Sequence, residues 1–258
     1  MTTSFLVARA RRTLPALALV LGAAAAAAQT PNRLTAAERA AGWRLLFDGR
    51  TLAGWRGLGA DSVPSRHWRV VDGTIASTPS AGLPRQADGQ PAIGADVMTT
   101  GTFRDFELAF EWRVTPGSNS GVKYNVSEQL SLDRAANRAA LGFEYQVLDD
   151  LRHPDNQIAS HRAGALYDIL APAAVKRLRP VGQWNSARIV LRGNHGEHWL
   201  NGAKVVEFDL GTPRLDSLLA RSKYRPIPGF AERRRGHIVL QHHGDEVHFR
   251  SIKLRELR

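Results

Sequence analysis

The sequence predicts an all-β sandwich or jelly roll, and three observations lead to this prediction. Residues 106–114 alternate almost strictly between apolar and polar side chains, which is typical of an antiparallel strand with one buried face. Further short strand-like runs are separated by turns rich in glycine, asparagine and proline. The sequence contains neither a βαβ alternation nor a glycine-rich phosphate loop, so packed antiparallel sheets are favoured over a parallel sheet.

The first 28 residues read as a secretory signal peptide that is removed on export. Arg9, Arg11 and Arg12 precede an apolar run over 14–28, and this run ends in small residues before Gln29. A basic start, a short apolar run and small residues at the end are the three parts of such a peptide. The run is shorter than the roughly 20 residues that span a bilayer. We therefore expect a periplasmic or secreted protein with no stable membrane insertion.

The mature chain is predicted to form one domain over 42–258, preceded by a short helix over 35–41. Thr35 is the expected N-cap of this helix, with Glu38 as its capping-box partner. Strands are expected at 122–126, 143–148, 187–192, 198–200 and 205–208. Asn201 and Gly202 predict a tight type I′ turn between the last two of these. The runs 237–243 and 247–254 are expected to form a closing hairpin, whereas 127–142 and 209–235 are too irregular to assign.

Composition and missing motifs exclude several functions. The chain has a formal charge of +11, but its arginines are scattered and accompany no nucleic-acid-binding motif, so a solvated basic surface is the better interpretation. It has no cysteine, which excludes disulfides, thiolate metal sites and a cysteine nucleophile. The paired acidic spacings that sandwich glycosidases carry on one strand are absent. Hydrolysis by two carboxylates is therefore disfavoured, although facing strands can still supply such a pair.

Polar residues on the predicted strands are the candidates for a ligand site. On the strand 143–148, Glu144 and Gln146 share one face while Phe143, Tyr145 and Val147 share the other. The remaining candidates are Asp149 at the end of that strand, Gln241 with His243, Arg250 with His248, and Lys123. Lys123 follows Asn119, Ser120 and Gly121, and we expect these three small residues to form a turn with room for a ligand. From spacing alone, solvent-facing strand positions explain Glu144, Gln146 and Gln241 equally well.

A set of short motifs in fixed order resembles one family of exported bacterial proteins. The motifs are FDG at 47–49 followed by Trp55, WRVVDG at 68–73, FRDFEL at 103–108, NSGVKY at 119–124, EYQVLD at 144–149, AGALYD at 163–168, WLNG at 199–202 and LQHHGDEVHFR at 240–250. The family is that of the 3-keto-disaccharide hydrolases, also described as 3-keto-glucoside-1,2-lyases and 3-keto-2-hydroxyglucal hydratases. The resemblance covers most of the mature chain and implies a concanavalin A-like jelly roll.

The resemblance implies cleavage of a 3-keto-glycoside by elimination and hydration, with net hydrolysis. A ketone at C3 makes the C2 proton acidic, so one base and one group that stabilises the enolate suffice. Glu144 is our candidate for the base or the acid, with His243 as its alternative. Lys123 and Arg250 are candidates for stabilising the enolate oxygen. Gln146, Asp149, Gln241 and Asn119 are expected to bind sugar hydroxyls, and Trp55 is the one tryptophan kept as a sugar platform, since Trp184 and Trp199 resemble core positions.

Cofactor, partner and competing functions complete the sequence-based predictions. A divalent ion held by Asp149, His153 or His243 is an alternative to the cationic residues, although His153 and His161 are better explained as surface loop histidines. The expected substrate is a small oxidised sugar, made by an upstream sugar 3-oxidoreductase, and nucleic acid is not an expected partner. The principal alternative is a non-catalytic carbohydrate-binding module, followed by a conventional glycosidase and an envelope adhesion protein.

Overall fold

The structure is a computed structural model that describes Met1, 30–80, Pro84, 95–133, 139–232 and 234–257. The predicted signal peptide lies almost entirely outside these residues. The strands are β1 (Arg44–Leu45), β2 (Trp55–Gly57), β3 (Trp68–Val71), β4 (Thr74–Ser77), β5 (Val97–Thr99), β6 (Phe106–Val114), β7 (Asn119–Val126), β8 (Phe143–Leu148), β9 (Asn185–Arg192), β10 (His195–Leu200), β11 (Ala203–Asp209), β12 (His237–Leu240) and β13 (Val247–Glu256).

These strands form two antiparallel sheets packed face to face. The larger sheet has eight strands in the order β11-β10-β9-β6-β13-β4-β3, with β1 paired to β13. The smaller sheet has five strands in the order β2-β5-β12-β7-β8. The predicted concanavalin A-like jelly roll is therefore confirmed. Neighbouring strands are distant in sequence, so residues near 120, 145 and 240 meet on adjacent strands of the five-stranded sheet.

The core lies between the sheets and follows the alternation read from the sequence. Along β6, the apolar side chains from Phe106 to Val114 are buried and face the five-stranded sheet. The ring centroids of Phe110 and Tyr145 are 5.5 Å apart, and those of Phe106 and Tyr124 are 6.4 Å apart. Each buried aromatic side chain of this kind contributes about 1.5–3 kcal/mol to stability. The core fixes which face of β8 turns inward and which face turns outward.

Two local predictions from turn and cap chemistry hold. Asn201 and Gly202 join β10 to β11 with φ angles of 48° and 84°, as a type I′ turn requires. Helix α1 (Ala36–Ala40) begins with the predicted capping box, in which the Thr35 side chain accepts from the Glu38 backbone N–H and the Glu38 side chain accepts from that of Thr35. The capping box satisfies backbone N–H groups at the start of the helix, and Asn201 and Gly202 supply the positive φ angles of the turn.

The predicted closing hairpin is wrong. β12 pairs with β5 and β7 in the five-stranded sheet, whereas β13 pairs with β6 and β4 in the eight-stranded sheet. The segment between them crosses from one sheet to the other, with Gly244 at a φ of 94°. A turn-rich link between two strand-like runs looks the same in sequence whether the strands pair or change sheets. This crossing leaves Gln241 and His243 at one sheet and carries Arg250 to the other.

The irregular stretches left unassigned contain short helices around the sandwich. They include α2 (Glu128–Asp133), α3 (Pro213–Leu219) and a 3₁₀ turn at Phe230–Glu232. Two further 3₁₀ turns, Pro154–Gln157 and Ala159–His161, follow β8. Within the described ranges, no helix has the length and apolar character needed to cross a bilayer.

Candidate active site

The candidate site is a narrow polar cavity on the face of the five-stranded sheet that turns away from the core. It is lined by Asn119, Glu144, Gln146, Tyr167, Lys223, Gln241 and His243. On β8, Phe143, Tyr145 and Val147 belong to the core, so Glu144 and Gln146 point to the opposite face as predicted. The sheet order places β7 between β8 and β12. This order brings five of the sequence-predicted residues together, although their roles stay predictions.

Glu144 lies at the back of the cavity and is only 2% exposed. It is directly opposite Lys123 in the register of β7 and β8 and packs against Gly121. A Cβ atom on Gly121 would lie 2.2 Å from Glu144 Oε1. The segment around Gly121 is part of β7 and not the turn that we expected. Because Gly121 has no side chain, the space above it holds the Glu144 carboxylate rather than a ligand.

The amide side chains around Glu144 hold its carboxylate in place. With its nitrogen turned toward Glu144, the Gln146 amide donates to Glu144 Oε1 (3.1 Å) and to the Ser120 carbonyl (3.2 Å). In the opposite orientation of the amide, the Gln146 nitrogen donates instead to Asn119 Oδ1 (3.0 Å). The Asn119 amide nitrogen is 3.4 Å from His243 Nε2 and 3.4 Å from Asp155 Oδ2. The carboxylate therefore belongs to a connected polar network, which gives it a defined orientation.

Lys123 is near Glu144 in register, but its ammonium group is bound elsewhere. Lys123 Nζ donates to the Ala140 carbonyl (3.1 Å) and lies 3.6 Å from Asp96 Oδ2. Asp96 also accepts from the backbone N–H groups of Ala140 and His242. A buried ammonium needs an anionic partner, and Asp96 provides it. The prediction that Lys123 stabilises an enolate is therefore wrong, since the lysine neutralises a buried structural carboxylate.

Arg250 is not part of the cavity. It lies on β13 in the eight-stranded sheet, where its Nε donates to Glu111 Oε2 (2.8 Å) and its guanidinium covers the Trp184 ring at 4.0 Å. The sequence grouped it with His248 on one strand of the expected closing hairpin. The crossover between the sheets separates Arg250 from His243, so the prediction of a catalytic role for Arg250 is wrong.

Asp149 and Trp55, two predicted substrate-binding residues, have structural roles instead. The Asp149 carboxylate accepts from the backbone N–H groups of Gly117 (2.7 Å) and Leu151 (3.0 Å) and is 1% exposed. Trp55 is buried, and its indole N–H donates to the Leu46 carbonyl. Conversely, Trp184 and Trp199 were expected in the core but are half-buried beneath arginine side chains. The predicted binding roles of Asp149 and Trp55 are therefore wrong.

Tyr167 and Lys223 line the cavity and were not predicted from the sequence. Lys223 is exposed, and its ammonium group lies 4.3 Å from the centre of the Tyr167 ring. The backbone N–H of Lys223 donates to Asp168 Oδ2 (2.6 Å), which ties the two loop segments together. Both residues lie on irregular backbone, where no side-chain period shows which way a residue points. Tyr167 falls within one of the motifs quoted above, which was the only signal in the sequence.

His161 lies beneath Tyr167 as a charged and buried side chain. Its ring stacks on that of Tyr167 at 4.3 Å, and its Nε2 is 2.9 Å from Asp168 Oδ1. Burial alone would lower its pKa, but Asp155 and Asp168 raise the pKa of His161 to about 9. Its charge in turn lowers the pKa of Asp155. The interpretation of His161 as a surface loop histidine is wrong, because its side chain is 11% exposed and pairs with two carboxylates.

The comparison with known proteins identifies the family. Residues 42–255 match the family described as the 3-keto-alpha-glucoside-1,2-lyase-like domain. The chain belongs to this family. A curated relative from Bacteroides thetaiotaomicron, named 3-keto-disaccharide hydrolase, is 35% identical over 234 residues, covering 84% of this chain and 79% of the relative. The resemblance stated from the sequence motifs is therefore confirmed.

Two solved structures from Parabacteroides distasonis share this fold. Both proteins are described provisionally as glycosyl hydrolases, and each is 26% identical to this chain. One superposes with a TM-score of 0.74 and covers 89% of this chain and 100% of its own length. The other superposes with a TM-score of 0.63, with coverages of 83% and 99%. The match extends over nearly the whole of both relatives, which supports the two-sheet architecture.

One group of side chains beside the cavity has the composition of a metal site. His153, His243 and Asp245 each have a ligand atom within 4.8 Å of the others, whereas Asp149, predicted as a ligand, is bound to backbone N–H groups. The backbone N–H of Asp155 donates to His153 Nδ1 (3.2 Å), so the neutral ring carries its proton on Nε2. To bind an ion, His153 would have to give up this hydrogen bond. The fit to a metal is therefore incomplete.

Proposed function

We propose that this protein cleaves 3-keto-glycosides by elimination and hydration, with Glu144 removing the C2 proton. The observation that carries the proposal is a buried carboxylate that lines a cavity together with amide, imidazole, phenol and ammonium groups. Membership of the family and the name of the curated relative support a carbohydrate hydrolase. The proposal adds the order of bond changes and the residues that perform them.

The chemistry of a 3-keto sugar needs only one carboxylate. The ketone at C3 stabilises the carbanion at C2 as an enolate, so a single base can remove the C2 proton and the C1 substituent can leave. Water then adds to the unsaturated ketone. A conventional glycosidase instead needs two carboxyl groups, about 5–5.5 Å apart for retention or about 6.5–9.5 Å for inversion. Among the described residues that line the cavity, Glu144 is the one carboxylate, which favours the enolate route.

The other lining residues can bind the sugar and stabilise its enolate. Lys223 is the cation of the cavity and takes the electrostatic role first expected of Lys123 and Arg250. Gln241, Asn119 and Gln146 offer amide groups for hydroxyls. His243 is 5% exposed and remains the alternative base. These groups come from β7, β8, the segment that follows β12 and the loop between α3 and β12, so the sandwich itself fixes their spacing.

Substrate entry requires part of the cavity wall to move. The cavity has a volume of about 10 Å³, which is room for about one water molecule. A sugar ring is many times larger. Lys223 is the exposed member of the lining, on a loop that joins α3 to β12. We propose that its side chain swings away from the Tyr167 ring to admit the substrate and then returns to that ring, within reach of the carbonyl side of the sugar.

Export and substrate supply are further parts of the proposal. A 3-keto-glycoside must be made by oxidation of an ordinary glycoside, so a sugar 3-oxidoreductase is the class of enzyme that supplies the substrate. The basic and apolar N-terminus supports delivery to the periplasm or the medium. Amino-terminal sequencing of protein from the periplasmic fraction tests this point. Mature chains that begin at about Gln29 are expected, and full-length chains in the cytoplasmic fraction would contradict export.

The experiment that tests the activity is a proton NMR time course in deuterated water with a 3-keto-glucoside. We expect release of the aglycone and appearance of deuterium at C2. Glu144→Gln should slow the reaction by about 10²–10⁴-fold because a general base is lost, while Glu207→Gln, on the exposed side of β11, serves as the matched control. Repeating the experiment with a chelator tests the metal alternative. If the substrate stays intact but still binds, the protein is a carbohydrate-binding module and the proposal fails.

A further inference from the structure

Tyr167 is held between two positive charges at the mouth of the cavity. The imidazole of His161 stacks on its ring at 4.3 Å with an interplanar angle of 28°. The ammonium group of Lys223 also lies 4.3 Å from the ring centre. Two cations against one phenol ring favour negative charge on that ring. The Tyr167 side chain also lines the cavity that contains Glu144, so this phenol is part of the proposed reaction site.

The charge on His161 is built into the loops that follow β8. His161 Nε2 is 2.9 Å from Asp168 Oδ1, and its Nδ1 is 3.9 Å from Asp155 Oδ2. Asp168 adopts a φ of 61° and also accepts from the backbone N–H of Lys223. One carboxylate therefore fixes both cations that face Tyr167. This arrangement has no evident purpose in the packing of the sandwich, because a buried ion pair contributes little to stability compared with apolar side chains of the same size.

We infer that Tyr167 is the catalytic acid that protonates the leaving oxygen, and that His161 is a positioning residue that sets the charge balance of this phenol. This inference rests on the proposed function and assigns the proton donor that elimination requires. Glu144 is the base on the sugar side, and Tyr167 is the acid on the aglycone side. The site then contains one group for each of the two protons that move.

The proton transfers balance over the complete reaction. In the elimination step, the Glu144 carboxylate takes the C2 proton, the C1–O bond breaks, and the leaving oxygen takes the Tyr167 proton. The product is the unsaturated ketone, with a neutral Glu144 and a Tyr167 phenolate. In the hydration step, the phenolate takes a proton from water, the resulting hydroxide adds to C1, and C2 regains a proton from Glu144. Both side chains return to their starting states, and the net reaction is hydrolysis.

The charged neighbours of Tyr167 act in opposite directions on the formation of its phenolate. The Tyr167 hydroxyl donates to Asp155 Oδ2 at 3.5 Å, and this carboxylate opposes formation of the phenolate, as does Glu144 across the cavity. His161 and Lys223 favour the phenolate. Because His161 carries its charge between Asp155 and Asp168, replacing it would leave two carboxylates beneath the ring with no cation between them. The phenolate should then form only at higher pH.

Absorbance titration tests the charge balance without any substrate. The chain has four tyrosines, and burial raises the pKa of Tyr124, Tyr145 and Tyr224. The first phenolate absorbance change as pH rises should therefore belong to Tyr167 and should disappear in Tyr167→Phe.

The His161 variants supply the comparison for this titration. His161→Phe should move the first change upward by about 1–2 pH units, as expected for loss of a unit charge near the ring. Lys223→Met should move it in the same direction and guards against misfolding of the His161 variant. His195→Phe, which changes an exposed histidine on β10, is the control and should leave the midpoint in place. Midpoints that are the same in the wild type, His161→Phe and Lys223→Met would overturn the positioning role.

Leaving-group dependence tests the acid. With an alkyl or sugar aglycone, Tyr167→Phe should lower kcat by about 10²-fold or more, because general acid catalysis is lost. With a nitrophenyl aglycone, which leaves without protonation, the decrease should be less than about 5-fold. Tyr224→Phe, which keeps the stack on Phe230, is the control and should follow the wild type with both substrates. Equal losses for both aglycones would refute the acid role.

The two experiments separate failure of this inference from failure of the proposed function. If no 3-keto-glycoside is cleaved by the wild type, the proposed function fails, and the acid role of Tyr167 fails with it. If the wild type cleaves both substrates but Tyr167→Phe shows no dependence on the leaving group, the function stands and the assignment of Tyr167 is wrong.

Discussion

Gly121→Ala is the substitution that most directly tests the position of the Glu144 carboxylate. The new Cβ would lie 2.2 Å from Glu144 Oε1 and 2.7 Å from its carboxyl carbon, whereas ordinary contact begins at 3.4 Å. The carboxylate would therefore have to move by about 1 Å. A displacement of this size in a reacting group costs about 10²-fold in rate. Alanine is also favoured over glycine in a strand by roughly 0.5–1 kcal/mol, so the loss of rate should come with only a small change in stability.

The assay compares kcat on a 3-keto-glucoside with the midpoint of thermal unfolding. Gly101→Ala is the matched control, because its Cβ would meet only the Phe103 ring at 3.8 Å, which is ordinary contact. We expect Gly101→Ala to keep wild-type kcat and Gly121→Ala to lose about 10²-fold while remaining folded. A folded Gly121→Ala variant with kcat within about 3-fold of the wild type would show that Glu144 is not the base, and His243 would then become the candidate.

Three further predictions concern stability and the residues excluded from the site. Burial lowers the pKa of His198 to about 4, so as pH falls from about 6.5 to 4 the unfolded chain binds a proton that the folded chain does not. The free energy of unfolding, measured with urea, should therefore fall by up to about 3 kcal/mol over this range. His198→Gln should remove this part of the pH dependence. Lys123→Ala should lose about 3–5 kcal/mol by leaving Asp96 without its ammonium partner, and adding Asp96→Asn should recover part of that loss in the same assay. Arg250→Gln should keep kcat and change the unfolding free energy by less than about 1 kcal/mol, because its pair with Glu111 is partly exposed; a large loss of kcat would return Arg250 to the site.

The sequence was most informative where a side chain lies on a regular strand. The alternation of 106–114 reappears as the buried face of β6, and the same period of two correctly turned Glu144 and Gln146 away from the core. A strand carries this information because each residue's face follows from its neighbours. The positions of Asn119 and Gln241 depended on strand pairing as well, which the period of two does not give.

The errors have physical causes that spacing does not reveal. A hairpin and a crossover both need a turn between two strands, so the sequence predicted one hairpin for 237–243 and 247–254 when β12 and β13 lie in different sheets. Lys123 does lie opposite Glu144, but its side chain is long enough to place the ammonium group beside the Asp96 carboxylate instead. The carboxylate of Asp149 is of a type that often binds ligands, yet a carboxylate at the end of a strand can equally cap the following turn. In the first two cases the deciding contact is made by residues distant in sequence.

The charge distribution around the cavity explains why a single carboxylate can act there as a base. Lys123 is paired with Asp96 and is therefore neutralised beside the sheet. Lys223 lines the cavity and His161 lies beneath Tyr167, and Asp168 contacts both the His161 ring and the Lys223 backbone. The cation of the cavity lining, Lys223, thus lies on the loop side, while Glu144 remains among amides on the sheet side. Elimination moves negative charge away from the base and toward the enolate and the leaving oxygen, and a site with its cations on the loop side stabilises that movement.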